Sequence, residues 1–526
     1  MSAASPSSVT RPATLSEAEK IIDQLQRNSE QLQKKLQFSE LRVLVLEEQL
    51  RQRRIEKYGV GSEKLSNLQL ELLEQEPGVS QAEVQAESER PVIEGNAIDV
   101  AGYQRQRRTH PGRQSLPPEL PRVEKVIACP AEQCVCGQCG NPTTVIGYEE
   151  SEQLEVEPAK YYVLVTKREK RTCTDCKGSK IVAAPAPARI IEKSLASDQV
   201  VIDTVIRKYC DHLPLYRQSV ILDREAGVKI SRATLDGWVL QVGEMLRPLV
   251  AVMGRELVQG SYLQADETPV GVQMHDGRGK NHKAYLWQYG RPGGATVFDF
   301  RLGRDRAGPK QFLENFHGIL QTDAYQAYNK VGGTGMVHAA CWTHARRGFA
   351  NVVKLNPGDP VARPIVLKIN ELFAVDGEAR ERGLSVEARH RLRQQKAPKL
   401  LEKIKADMEA AKPGALPGGA LESACEYALG LWPRLTCFLE YPELELSNNL
   451  AENSMRPIVL GRKNWIHIGS PQAGPKVTAI MSVIETCRRI KISARDYLSA
   501  VLPGLANTRV QCLPALTPTA WASQRQ

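Results

Sequence analysis

Nowhere in the 526 residues do eighteen apolar residues follow one another, so a membrane-spanning helix of ordinary length is not expected. The first twenty residues, MSAASPSSVTRPATLSEAEK, lack the apolar centre of a secretory signal, and the expected location is the cytoplasm. Net charge is small: 70 Lys and Arg against 60 Asp and Glu leave +10. That surplus favours a polyanionic partner without requiring one. Internal repeats are absent. What is present is an ordinary globular mixture, 42% hydrophobic and 25% charged, with enough apolar material for a large core. At roughly 150 residues per domain, the length corresponds to three or four domains. The twelve cysteines of a cytoplasmic chain are thiols or metal ligands in preference to disulfides.

A seven-residue apolar rhythm runs from Leu15 to Leu50. Leu15, Ile22, Ser29, Leu36, Val43 and Leu50 form one seam, and Ala18, Leu25, Leu32, Ser39 and Leu46 the other. With Glu, Gln, Lys and Arg between them, the pattern predicts a coiled coil over residues 1–58 that pairs two copies of the chain. The alternative is one amphipathic helix lying on the protein's own core. Residues 59–125 read as a polar linker, broken at Pro77-Gly78, with a basic cluster of Arg105, Arg107, Arg108 and Arg113. Arginines so grouped suit phosphate contacts or a solvated linker equally. A helical region is expected from about residue 190 to 252. Within it, a helix over Tyr216–Ala226, a turn at Gly227 and a cap at Ser231 suggest a helix-turn-helix whose second helix carries Arg232. Strand-like stretches follow at Tyr262–Gln264, Ala284–Tyr289, Thr296–Phe300 and Ile319–Thr322. Residues 351–440 look wholly helical, another helix spans about Pro475 to Arg489, and residues 491–526 read as a loose tail.

Residues 126–182 hold six cysteines. Cys136-Gly-Gln-Cys139-Gly and Cys173-Thr-Asp-Cys176-Lys-Gly are two knuckles of the same design. Two intervening residues let both sulfurs face one ion, and four thiolates make a closed tetrahedral site, which is the structural kind of zinc. A hairpin from Gln153–Glu157 and Tyr161–Val165 would complete a zinc ribbon. Cys129 and Cys134 compete as ligands.

Three polar islands mark the second half: Gln264-Ala-Asp266-Glu267-Thr268-Pro269, Gln321-Thr-Asp323-Ala-Tyr325, and Asn448-Asn449-Leu-Ala-Glu452-Asn453-Ser-Met-Arg456-Pro457. The first two follow strand-like runs. On a helix, Asn449, Glu452, Asn453 and Arg456 share one face. Carboxylates gathered from two strand ends and a helix are what an oxygen-preferring divalent ion needs, and two such ions can drive in-line attack at phosphorus.

On these and other motifs the chain resembles the insertion-sequence sixty-six family of bacterial transposases, from about Glu40 to Leu498. The resembling stretches include Tyr58-Gly-Val-Gly-Ser-Glu-Lys-Leu65, Glu150-Ser-Glu-Gln-Leu154 and Lys208-Tyr-Cys-Asp-His-Leu-Pro-Leu-Tyr-Arg217. Further ones are Asp266-Glu-Thr-Pro269, Thr322-Asp-Ala-Tyr325, Cys341-Trp-Thr-His-Ala-Arg-Arg347, Arg456-Pro457 and Gly461-Arg-Lys-Asn-Trp465. Where the family tends to have Phe-Gly-Arg, this chain has Tyr58-Gly59-Val60, so a contact by that arginine is not expected.

The resemblance implies a ribonuclease-H-like core (residues 255–350 and 441–490) with an Asp, Asp, Glu triad of Asp266, Asp323 and Glu452, interrupted by the helical residues 351–440. Cys341 and His344 match an accessory Cys-x-x-His signature, for which packing or DNA positioning is the expected role. The resulting expectation is a multidomain α+β and α/β chain with coiled coil, zinc ribbon, helix-turn-helix-like region and catalytic core. Its implied activity is DNA cleavage and strand transfer with two Mg²⁺ ions. Arg346, Arg347, Arg456, Arg462 and Lys463 would grip the backbone. Implied partners are the element's ends, target DNA and further small proteins of the same element. A non-catalytic DNA-binding regulator and a ribonuclease with the same core are the rivals; the intact triad counts against the first.

Overall fold

In the computed structural model the described residues are 14–58, 121–129, 134, 138, 141–148, 153, 160–171, 181–277, 279–356 and 358–525. They fall into two units, residues 101–166 and the rest of the chain. The expected linker arginines Arg105, Arg107 and Arg108, and the zinc ligands Cys136, Cys139, Cys173 and Cys176, lie outside the described residues.

In the smaller unit, Thr143 donates its N–H to the Cys134 carbonyl at 2.8 Å. The Cys134 thiol points at the carbonyl of Cys129, 3.6 Å away. The strand expected at Tyr161–Val165 is not formed. Tyr162, Val163, Leu164 and Val165 are each at least 67% exposed, and a β-prone run becomes a strand only when another strand pairs with it. Most of its intended partner, Gln153–Glu157, lies outside the described residues.

In the larger unit, helix α1 covers Leu15–Tyr58 without a break. No Gly or Pro interrupts these 44 residues, and Leu, Gln, Glu and Lys favour the helix. The seam residues Leu25, Leu32, Leu36 and Leu50 are 56–65% exposed, so the helix does not bury its stripe on its own core. Strands β1 (Lys170–Arg171) and β2 (Val182–Ala183) make a short antiparallel pair.

The helical region has the expected punctuation. Helix α2 (Asp198–Tyr209) starts at Ser197, whose side chain accepts from Val200 N. Helix α3 (Leu215–Ala226) ends at Gly227, where φ is +66° and any side chain would strain the backbone. The Ser231 hydroxyl accepts from Thr234 N at 3.1 Å and opens α4 (Arg232–Val258). This helix runs past the expected end near residue 252, because its buried stripe continues through Met253 and Leu257.

The sheet comprises β3 (Tyr262–Val272), β4 (His282–Gly290), β5 (Thr296–Arg301), β6 (Ile319–Thr322) and β7 (Val337–Ala340), with β8 (His467–Ile468) at the far end of β3. Spatial order is β5-β4-β3-β6-β7. Strand β4 runs antiparallel to β3 and β5, while β6 and β7 are parallel to β3. A mixed sheet in the order three-two-one-four-five with only the second strand reversed is consistent with a ribonuclease-H-like core. Strand β6 is buried at all four positions, as a central parallel strand should be. After α5 (Ala307–Phe312), the sheet is followed by α6 (Trp342–Leu355), α7 (Ala362–Glu381), α8 (Val386–Ala411), α9 (Ala420–Gly430) and α10 (Trp432–Thr436). These helices share one core with the sheet, joining Tyr262 and Ile319 to Trp342, Phe349, Ile369, Ile404 and Phe438.

Helix α11 (Asn449–Trp465) and α12 (Gly474–Arg489) return to the sheet. The segment expected to be a loose tail is ordered: α13 spans Ala494–Leu505 and α14 Pro518–Ser523. The Tyr497 hydroxyl donates to the Leu516 carbonyl at 2.6 Å, the Tyr497 ring meets Trp521 edge-on at 5.5 Å, and Leu513 is buried. Anchors this widely spaced leave no period in the sequence.

Candidate active site

Two glutamines bring the three polar islands together. Gln264 on β3 and Gln321 on β6 are register partners in the parallel pair. The Gln264 amide nitrogen lies 2.9 Å from Gln321 Oε1 and 2.9 Å from the Ser447 carbonyl. Its oxygen accepts from Ala451 N at 3.3 Å. Gln321 donates to the Glu445 carbonyl at 2.7 Å, and Tyr262 hydroxyl donates to Gln321 Oε1 at 2.6 Å. All three side chains are buried. Side chains two apart on a strand share a face. The clamp therefore sets Asp266 and Asp323, each two residues beyond its glutamine, beside the start of α11, where Glu452 follows Ala451.

Asp266 lies inside an eleven-residue strand and not at a strand end, because β4 pairs with β3 from Gln264 to Val272. Burial first, then the charges of Glu452, Glu267 and Asp323, hold its carboxyl well above the usual carboxylate range. The Glu267 N–H, bonded to it at 2.8 Å, pulls the other way. Asp323 sits on a tight turn: its Oδ1 accepts from Tyr325 N at 2.8 Å, and Ala324 has φ +67°. Tyr427, on α9, donates its hydroxyl to the Asp323 carbonyl at 2.7 Å. The helical insertion thus holds the turn that presents the second acid.

Glu452 faces cations. His344 Nε2 is 3.5 Å from its Oε1, and Arg347 is 3.7 Å from its Oε2. His344 is one turn beyond Cys341, the residue preceding α6, and Cys341 Sγ accepts the Asn448 N–H at 3.4 Å. Burial works to lower the His344 pKa, but the neighbouring Cys341 and Glu452 outweigh it and raise it to about 9. The accessory pair therefore braces the base of α11 and the Glu452 side chain.

A second network was not foreseen in the sequence. The Glu267 side chain is 2% exposed; its Oε1 accepts from Arg304 at 2.6 Å and 3.0 Å, and its Oε2 from the Tyr328 hydroxyl at 2.8 Å. The Arg304 guanidinium lies 3.9 Å from the Tyr325 ring centroid. These contacts tie the loop after β5 to the turn carrying Asp323. The recurring Gln-x-Asp spacing in both islands was the available signal for the glutamine clamp; Arg304 and Tyr427 left none.

Of the expected DNA-gripping residues, Arg346 is corrected. It is 4% exposed and its Nε donates to Asn370 on α7 at 2.6 Å, so it is a core residue and not a phosphate contact. Helix α6 turns Arg346 inward and leaves Arg347, one residue on, 43% exposed beside Glu452. Arg462 is half-buried and donates to the Pro269 carbonyl and, at 3.3 Å, to Thr268. Arg456 is half-buried; Lys463, on the last turn of α11, and Arg232, at the start of α4, are exposed.

Two aspartates and a glutamate are a hard-oxygen donor set that suits Mg²⁺. The mutual repulsion raising Asp266 is what a divalent cation would cancel. Glu452 Oε1, Asn453 Nδ2 and both polar atoms of the Asn448 side chain are buried with no hydrogen-bond partner among the described residues. Among the described residues, however, no three ligating side chains converge on a single ion-sized point; Glu452 leans on His344 and Arg347.

Comparison with known proteins gives the family. The profile described as "Transposase IS66 family" matches residues 193–476, "zinc-finger binding domain of transposase IS66" matches 133–177, and "Transposase C of IS166 homeodomain" matches 45–124. Similar chains come from Sinorhizobium fredii (strain NBRC 101917 / NGR234). Uncharacterized protein y4jD is 30% identical over 438 residues, 79% of this chain and 84% of the relative. Uncharacterized protein y4hP is 28% identical over 506 residues, 92% of this chain and 88% of the relative. The chain, with its DDE transposase domain, is a member of the IS66 transposase family.

Proposed function

We propose that the protein cuts the ends of its own DNA element and joins them to target DNA, using Asp266, Asp323 and Glu452 as the catalytic carboxylates. The observation that carries this reading is the glutamine clamp, which sets acids from three distant segments within electrostatic reach of one another. Asp266 and Asp323 would hold two Mg²⁺ ions, with Glu452 completing the second site. Bound there, the ions supply Lewis-acid stabilisation of the attacking and leaving oxygens of an in-line displacement at phosphorus. The chain's own part is positional. Gln264 and Gln321 fix the spacing of the two strands, Tyr427 fixes the Asp323 turn, and Arg347 stands where it can leave Glu452 for a phosphate oxygen. Cleavage frees a 3′-hydroxyl, which then attacks a target phosphodiester in the same site with no covalent enzyme intermediate.

Arg456, Arg462 and Lys463 lie along the helix that carries Glu452, which supports backbone contacts without sequence readout. The capped helix pair α3–α4, with Arg232 exposed at the start of the second helix, supports DNA docking. Four thiolates, Cys136, Cys139, Cys173 and Cys176, would hold one structural zinc. The exposed, self-complementary seam of α1 would pair with a second copy of the chain.

The test is metal-dependent nicking and strand transfer on DNA carrying the element's ends. Asp266→Asn, Asp323→Asn and Glu452→Gln should each abolish cleavage and keep DNA binding, because a carboxamide preserves shape but loses the charge that holds the ion. Cutting at wild-type rate by any one of them removes that residue from the triad.

A further inference from the structure

Away from the carboxylates, two motifs of the family resemblance meet without a role in the chemistry above. Lys208-Tyr209, at the end of α2, and Trp465, at the end of α11, line one cavity of about 190 Å³ together with Asp236 on α4 and His467 on β8. Two of its polar groups are unsatisfied among the described residues. Tyr209 is 7% exposed and its hydroxyl has no hydrogen-bond partner among the described residues; neither has His467 Nδ1. The Lys208 ammonium rests over two rings, 5.5 Å from the Tyr209 centroid and 5.9 Å from that of Trp465. Burial pulls its pKa below the ordinary range, with Asp236 opposing.

The backbone between two of the walls is strained. Ile466, a β-branched residue, sits at φ +65° and ψ −54°, a conformation that residues with a side chain rarely adopt. This turn puts Trp465 and His467, two residues apart, on the same cavity.

We propose that this cavity receives a single unstacked nucleobase from the bound DNA. The inference rests on the reading that DNA is the substrate. A base needs a flat apolar partner and an edge of mixed donors and acceptors. Trp465 supplies the first; Lys208 and the Tyr209 hydroxyl as donors, with Asp236 as acceptor, supply the second. A phosphate group is disfavoured by the Asp236 carboxylate and has no use for an indole. The volume is below the roughly 300 Å³ at which pockets for whole small molecules begin, so one ring system of a tethered strand fits better than a free nucleotide. Location agrees. Asp236 lies one turn beyond the exposed start of α4, and exposed Lys463 precedes Trp465 by two residues. Thirteen residues of α11 separate Trp465 from Glu452, about 20 Å at 1.5 Å per residue, so the base would lie several nucleotides from the cleaved bond.

The experiment uses the full-length protein and a DNA duplex bearing one unpaired 5-iodouracil, irradiated and analysed by peptide mass spectrometry. The expected cross-link is to Trp465 or Tyr209. Trp465→Leu should remove it and weaken binding of the bulged duplex about tenfold relative to the fully paired one, the loss of one stacked base. Lys208→Met and Asp236→Asn should shift the same ratio in the same direction, which covers the case that Trp465→Leu fails to fold. Cross-links found only elsewhere, or an unchanged ratio in all three variants, would overturn the proposal. Thymidine monophosphate that displaces the cross-link at concentrations comparable to the oligonucleotide would overturn the tethered-base reading in favour of a free-nucleotide site. Binding of the paired duplex with no cross-link from the bulged one defeats this inference alone. Failure to bind any DNA defeats it together with the reading on which it rests.

Discussion

Replacing Gln264 by Leu tests the clamp, because the two side chains are close in size and the change is chiefly in polarity. Gln264 is 1% exposed, so whatever it leaves unpaired stays dry. The Ser447 carbonyl, 2.9 Å from the Gln264 amide, loses that donor. The Ala451 N–H keeps the Asn448 carbonyl at 2.9 Å, and Gln321 Oε1 keeps the Tyr262 hydroxyl at 2.6 Å. One orphaned carbonyl costs about 1–3 kcal/mol and each of the two bonds lost without an orphan about 1 kcal/mol, for a total of about 3–5 kcal/mol. That is a large share of the ~5–15 kcal/mol typical of a domain, yet compatible with folding. Urea unfolding should be followed by fluorescence, since Trp287 and Trp342 are fully buried around the sheet. The midpoint should fall by roughly 1 M at the slope expected of a core this size. Cleavage should fall further than stability explains, on the order of a hundredfold, because a shift of about 1 Å in Glu452 relative to Asp266 spoils the reacting geometry. Gln264→Leu with Gln321→Leu should cost less than the sum of the singles, since they share bonds. An unchanged midpoint together with cleavage within about threefold of wild type would refute the reasoning.

Three further outcomes are expected. Glu445 is buried and held by Arg380 at 2.6 Å and Arg389 at 2.7 Å; burial works to raise its pKa, but these arginines outweigh it and hold it below the ordinary range. Its stabilisation is therefore present above the unfolded-state carboxylate pKa and is lost as pH falls through the lower folded value. Glu445→Gln should cost about 3 kcal/mol at neutral pH, and the gap from wild type should close in acid titrations monitored by circular dichroism; a gap that is constant with pH contradicts the assignment. Metal analysis of purified protein should find about one zinc per chain, lost on Ser substitution at Cys136, Cys139, Cys173 or Cys176. Loss on Cys129→Ser instead would reassign the ligands. Deleting residues 1–56 should turn a dimer into a monomer in light scattering without DNA and weaken paired-end binding more than single-end binding. Full-length protein that is already monomeric at micromolar concentration would disprove pairing through α1.

Local chemistry wrote much of this protein into its sequence. An unbroken run of helix formers makes α1, Gly227 and Ser231 punctuate α3 and α4, and apolar runs locate β4, β5 and β6, because each depends on neighbours within a few residues. The three acidic islands were legible for the same reason. Their meeting was not, since it depends on Gln264, Gln321 and Ser447, up to 183 residues apart, sharing bonds that only the closed sheet permits. Strand β3 looked finished at Gln264; tertiary pairing with β4 carries it eight residues further and puts Asp266 in its interior. Arg346 and Arg347 are indistinguishable as adjacent arginines, and only the packing of α6 on α7 decides which one is core and which faces Glu452. The C-terminal segment has no periodic pattern, so its order comes wholly from docking. The same holds for the cavity between Lys208 and Trp465, residues 257 positions apart in a sequence where each would pass for ordinary surface. Short-range propensity and capping are encoded residue by residue, whereas desolvation, charge proximity and cavity shape exist only after distant segments have been brought into contact.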